Sequence, residues 1–236
     1  MTRRPHGRMR TQMSVRSYGP CHFGAALACC ALLASSANAG AAEPIQLTLD
    51  ASDAPVTSIV HVRESVPATG GALDLAYPRW VPGEHGPSGP VQNLAGLTAT
   101  AGGKPVDWER DTSDTNEFHI AVPPGAGSVD VAFDFLGSKD GTYGESRLAS
   151  RTMLAINWNQ FLHYPQNADI ATTIFAPATV LPGADWIAET ALPDPVRTGS
   201  RIVFAPATLE RLVDSPLDAG NVRAPIHAAR CERFHE

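Results

Sequence analysis

In the nonapeptide SVDVAFDFL, residues 128–136, every second side chain is apolar. Val129, Val131, Phe133 and Phe135 fall on one side, and Asp130, Ala132 and Asp134 on the other. A helix would scatter these residues around its axis, whereas an extended strand sorts them onto two faces. The same period recurs in Ile45, Leu47 and Leu49, in Val56, Val60 and Val62, in Leu73, Leu75 and Tyr77, and in Phe118, Ile120 and Val122. In the second of these runs His61 and Arg63 take the opposite face. Half-buried antiparallel strands read this way. Between them stand the turn signals Thr69-Gly70-Gly71, Gly102-Gly103-Lys104 and Pro123-Pro124-Gly125. TATAGGKPVDW reads as a hairpin about Gly102-Gly103. Further strands are expected at Met153–Asn157, Ile170–Phe175 and Arg201–Phe204. The pattern predicts a mainly β fold, an antiparallel β-sandwich, with one short C-terminal helix. That helix lies in PATLERLVDSP, where Leu209, Leu212 and Val213 share a helical face, Pro206 suits the first turn and Pro216 ends the segment.

The first 39 residues follow a different logic. Five arginines and no acid precede the apolar run Phe23–Ala34, and Ala37-Asn38-Ala39 follows as a small-residue cleavage site. That order predicts a secretory signal peptide over residues 1–39, with Met1 or Met13 as the start and a periplasmic or secreted product. The apolar run is too short for a membrane span of about 20 residues. Cleavage removes 5 of the 18 basic residues and none of the 24 acidic ones, taking the formal charge from −6 to about −11. So acidic a chain does not hold a polyanion non-specifically, which argues against nucleic acid as a partner. Cleavage also removes Cys21, Cys29 and Cys30. Cys231 alone remains, so the core must stabilise the fold without an internal disulfide.

The chemistry-bearing motifs are few. His235-Glu236 is the one His-Glu pair, and no histidine completes H-E-x-x-H. Among His61, His85, His119, His163 and His227 no two stand three to five residues apart. Gly86-Pro87-Ser88-Gly89-Pro90 approximates G-x-S-x-G, but its prolines oppose the helix that a nucleophile elbow requires. Asp107, Glu109, Asp111, Asp114 and Glu117 read as a solvated acidic loop. Their hard oxygens suit calcium, although the EF-hand spacing is absent. YPRWVPGEHGPSGP, residues 77–90, is too rich in proline and glycine for a helix or a central strand. Its stiffness lowers the entropy lost on binding. Trp80, Glu84 and His85 are therefore candidate substrate-binding residues, with Glu84 suited to an ammonium group and Tyr77 and Trp80 as anchors. A rigid loop without a ligand is the other reading. Asn157 and Asn159, in the amide-rich and aromatic NWNQFLHY, are candidates for a polar groove, against the alternative of a strand end whose amides cap nearby loops.

YPRWVPGEHGPSGPVQNLAGL, NWNQFLHYP and TLERLVDSPLDAG together resemble the amino-terminal domain of the glycyl aminopeptidase family of zinc metallopeptidases, metallopeptidase family 61. The resemblance runs from about Pro44 to Gly220. It implies a β-rich domain over 44–218, followed in the family by a thermolysin-like helical domain carrying H-E-x-x-H and a downstream glutamate, often then by a PDZ-like domain. No position here matches those zinc ligands, so no catalytic residue and no metal ligand is carried over, and zinc is implied only for the absent catalytic domain. The expected partners are that catalytic domain or a peptide substrate. Residues 219–236 are expected to form an irregular tail, as a truncation or frameshift would leave. A stand-alone secreted module binding peptide or carbohydrate is the alternative function.

Overall fold

The computed structural model describes residues 43–81, 85–137 and 148–221. The strands of the first half are β1 (Ile45–Asp50), β2 (Ile59–Pro67), β3 (Gly71–Ala76), β4 (Leu94–Ala101), β5 (Lys104–Pro105), β6 (Trp108–Arg110), β7 (Glu117–Val122) and β8 (Ser128–Leu136). Those of the second half are β9 (Met153–Ile156), β10 (Tyr164–Pro165), β11 (Ile174–Val180), β12 (Ile187–Thr190), β13 (Val196–Thr198), β14 (Arg201–Val203), β15 (Ala207–Thr208) and β16 (Leu217–Gly220). Helices α1 (Ala54–Thr57) and α2 (Leu209–Val213) are short. Among the described residues no helix is long and apolar enough to cross a membrane.

The strands form three sheets. The largest runs β13-β14-β11-β1-β2-β8-β4-β5, with β15 also on β11. Neighbours are antiparallel except β1 and β11, which pair in parallel from Ile45↔Phe175 to Asp50↔Val180. The smaller sheets run β10-β3-β7-β6 and β12-β16-β9. Alternation explains what lies between them. Val129, Val131, Phe133 and Phe135 of β8 are each at most 3% exposed, and burial of such side chains is worth about 1.5–3 kcal/mol apiece. They join Val60 and Val62 of β2, Leu75 of β3, Phe118 and Ile120 of β7 and Leu154 and Leu217 of the third sheet in one contiguous core. The predicted β-sandwich is thus present, with its large sheet against the two small ones.

Several expected elements shift for local reasons. Val56 belongs to α1 rather than to a strand and is 81% exposed. Pro55 opens that helix with its φ already helical, and Ser58 closes it in the left-handed region at φ 59°. The strand expected from Ile170 begins only at Ile174. Before it, the Asp169 carboxylate accepts the Ala171 N–H at 2.9 Å, and the Thr173 N–H bonds back to the Asp169 carbonyl at 2.8 Å. An aspartate bonding its own downstream backbone makes a turn. In α2 the cap is Thr208, whose hydroxyl accepts the Arg211 N–H, and Pro206 lies outside the helix. The hairpin about Gly102-Gly103 forms as expected, with both glycines at positive φ (56° and 75°). Ala219 and Gly220 sit inside β16, paired with β9 and β12, so ordered structure continues past residue 218. Residues 1–42, where the signal peptide is expected, and residues 222–236 of the expected tail lie outside the described residues.

Candidate functional site

The most chemically loaded surface is the open face of the β10-β3-β7-β6 sheet. Leu75, Phe118 and Ile120 point into the core, so the alternate positions of β3 and β7 face outward. These are Ala72 and Asp74 on β3, and Glu117, His119 and Ala121 on β7. The cross-strand register sets Ala72 beside Ala121 and Asp74 beside His119, with Glu109 of β6 on the other flank of His119. The paired alanines leave a floor without bulk. Over it lies a shallow cavity of about 430 Å³, bounded by Asp107, Trp108, Glu109 and His119.

His119 is held on both sides. Its Nδ1 meets Asp74 Oδ1 at 2.7 Å and its Nε2 meets Asp111 Oδ2 at 3.2 Å. Carboxylates only accept, so making both bonds at once requires both ring nitrogens to donate, which favours the protonated ring. The bond to Asp74, then that to Asp111, raises the His119 pKa above 6.5. The Asp111 carboxylate also accepts the backbone N–H groups of Asp114 and Ser113, and these two bonds, ahead of His119, lower its pKa below 3.8. Asp114 is lowered by its hydrogen-bonded ion pair with Arg79, which stands at the base of the proline-rich loop.

Asp111, Glu117 and His119 bring one donor atom each within 4.8 Å of one another, the spacing of a cation cage. Zinc or another metal needs a lone pair from the imidazole. Asp74 engages His119 Nδ1 and Asp111 lies beside Nε2, so the cluster is an ion triad with the ring protonated and a candidate cation site with Nε2 deprotonated. The acidic residues that the sequence suggested as a solvated loop therefore include two strand faces organised about a histidine. The signal for His119 was in EFHIAVP, where alternation puts it opposite Phe118 and Ile120. Its partner Asp74 becomes visible only once β3 and β7 are paired.

The proline-rich loop is pinned at its base. Gly89 donates its N–H to the Arg79 carbonyl at 2.9 Å, and a Cβ at Gly89 would strike the Pro78 carbonyl. Tyr77 is an anchor, 1% exposed, with its hydroxyl donating to the Gln160 carbonyl at 2.9 Å. Burial holds its phenol far above the ordinary tyrosine range. Trp80 is not an anchor, being 62% exposed. His85 is exposed too, and Glu84 lies outside the described residues.

NWNQFLHY goes into the core. Trp158, Asn159 and Gln160 form a single buried turn, with the Trp158 indole donating to the Ser215 carbonyl at 2.9 Å. Asn159 is 2% exposed and Asn157 half-buried. They do not meet Trp80 or the open face in a common groove, and the Asn159 amide nitrogen is buried without a hydrogen-bond partner among the described residues. Beyond them His163, wholly buried, donates its backbone N–H to Glu64 Oε1 at 2.6 Å and faces Glu64 Oε2 through Nδ1 at 2.8 Å. The edges and faces of Tyr77, Phe118 and Phe133 surround its ring. Glu64 sits on β2 at the inward parity of Val60, Val62 and Val66. The pair fastens the large sheet to the segment beneath the proline-rich loop.

This fold occurs elsewhere. In a solved aminopeptidase N family protein from Idiomarina loihiensis, 29% of that chain matches 75% of this one at a TM-score of 0.62 and 16% identity. Yeast LTA4 hydrolase in complex with bestatin gives a TM-score of 0.46 and 10% identity over 77% of this chain and 28% of its own. An M1 zinc metallopeptidase from Deinococcus radiodurans gives 0.39 and 14% over 75% and 40%. The chain thus spans less than a third of the length of the first two. At such identities the likeness shows the fold alone. The family is more specific: residues 46–221 match the Peptidase M61 N-terminal domain, and the chain belongs to that family. No curated protein matches the chain.

Proposed function

We propose that this chain is the non-catalytic amino-terminal domain, part scaffold and part substrate-cleft wall, of a secreted or periplasmic glycyl-aminopeptidase-like metallopeptidase. The observation that supports this best is the family match across 46–221. Two features agree with it. The fold it shares with an aminopeptidase N family protein is one, and the absence of H-E-x-x-H from the sequence is the other. In this reading zinc belongs to a separate catalytic domain, and this chain alone turns over no peptide.

The loop over 77–90 is then a lip at the substrate cleft, with Trp80 and His85 exposed and Glu84 taking the substrate's amino group. The test joins the domain to the catalytic domain of a family-61 peptidase. Glu84→Gln removes a charge-assisted bond of about 1.5–3 kcal/mol, so KM for free-amino peptides rises roughly ten- to hundredfold while blocked-amino peptides are indifferent. An unchanged KM for free-amino peptides removes the ligand-binding role and leaves the scaffold role.

A further inference from the structure

Strand β6 is the last strand of its sheet, and all three of its residues are exposed. Its bonds to β7 run through the odd positions: the Ala121 N–H donates to the Asp107 carbonyl and the Asp111 N–H to the Glu117 carbonyl, both at 2.9 Å. In an antiparallel ladder the intervening residues point the other way. The N–H and C=O groups of Trp108 and Arg110 therefore face out from the sheet edge. Among the described residues no strand pairs with this edge, and an unpaired edge is a template for another extended chain.

The groove over Ala72 and Ala121 adjoins this edge, and its rim is selective. Asp74 and Asp111 are engaged with His119, and Asp114 with Arg79. Asp107 and Glu109, exposed on the groove side, have no ion-pair partner among the described residues. A strand added to β6 turns every second side chain toward the face that carries these two carboxylates. Its other side chains fall on the side of Trp108, whose indole is 37% exposed. Backbone pairing supplies affinity in such additions, and alternate side chains supply specificity.

We propose that the β6 edge and its groove bind an extended basic peptide by strand addition, with lysine or arginine at alternate positions facing Asp107 and Glu109. This does not depend on the peptidase reading, because it uses only the edge and the charges beside it.

The experiment titrates the intact chain with acetyl-Lys-Val-Lys-Val-Lys-Val-amide, by calorimetry and by backbone hydrogen exchange. The expected result is saturable binding that slows exchange at the Trp108 and Arg110 amides. Asp107→Lys with Glu109→Lys weakens it about tenfold or more through like-charge repulsion. Methylating alternate peptide nitrogens abolishes binding for one set and spares it for the other. Absence of binding at about 1 mM peptide overturns the proposal. So does equal binding of the Glu-Val peptide, or binding that leaves the Trp108 and Arg110 amides unprotected, which would mark a merely ionic contact.

Discussion

His163 and Glu64 stand 99 positions apart in the chain and meet with neither side chain reaching solvent, the carboxylate accepting both the backbone N–H and Nδ1 of the histidine. Removing one partner leaves buried polar groups without bonds. Glu64→Ala is expected to cost about 3–5 kcal/mol, read as a fall in the urea midpoint at constant m-value. The double variant Glu64→Leu with His163→Phe recovers part of that loss. Recovery stays incomplete because the backbone N–H at position 163 still lacks an acceptor, a deficit of about 1–3 kcal/mol.

Stability is expected to peak in mildly acidic solution. His119 is raised by Asp74 and Asp111, and His61 chiefly by its 2.6 Å bond to Asp134. Their contributions are complete below the ordinary pKa of 6.5 and are lost as pH rises through the higher folded-state values. Asp111 and Asp114 are lowered. Their contributions are present above 3.8 and are lost as pH falls through the folded-state values. Thermal unfolding measured from roughly pH 3 to 9 should show a maximum between the two limbs, each shallow because these groups are solvent-screened. His119→Gln should flatten the alkaline limb.

The proline-rich loop should separate its anchor from its surface. Tyr77→Phe orphans the buried Gln160 carbonyl and is expected to cost about 1–3 kcal/mol. Trp80→Ser touches an exposed side chain and should stay within about 0.5 kcal/mol of the parent. Chemical denaturation of the two variants checks the contrast.

Gly89→Ala is expected to destabilise by about 1–3 kcal/mol, since the new methyl meets the Pro78 carbonyl and must push the base of the loop apart. Limited proteolysis should then cut within 77–90 sooner than in the parent.

Much of the sandwich was legible because its strands bury one face only. In SVDVAFDFL the alternation alone fixed which side chains enter the core. The same parity would have flagged Glu64, a carboxylate at an inward position of β2, had it been followed past Val62. What the residues could not disclose is pairing. Asp74 and His119 lie 45 positions apart, and their contact depends on the register of β3 against β7. Asn159 lies in a buried turn and Asn157 is half-buried beside it, a placement that depends on pairing in the same way. Amides beside aromatics suit a groove as well as a buried turn, and only the Trp158 bond to Ser215 across the core decides between them. Strand β14 falls within the expected Arg201–Phe204, but β12 and β13 went unseen because their few residues are mostly exposed and carry little alternation.

The most direct test of the account is whether the chain by itself is a peptidase. Purified protein is dialysed against zinc, its metal content measured, and its turnover of a chromogenic glycyl substrate followed with and without chelator. The account predicts no zinc retained in stoichiometric amount and no hydrolysis above the protein-free control. One equivalent of tightly held zinc, together with glycyl hydrolysis that a chelator abolishes, would contradict it.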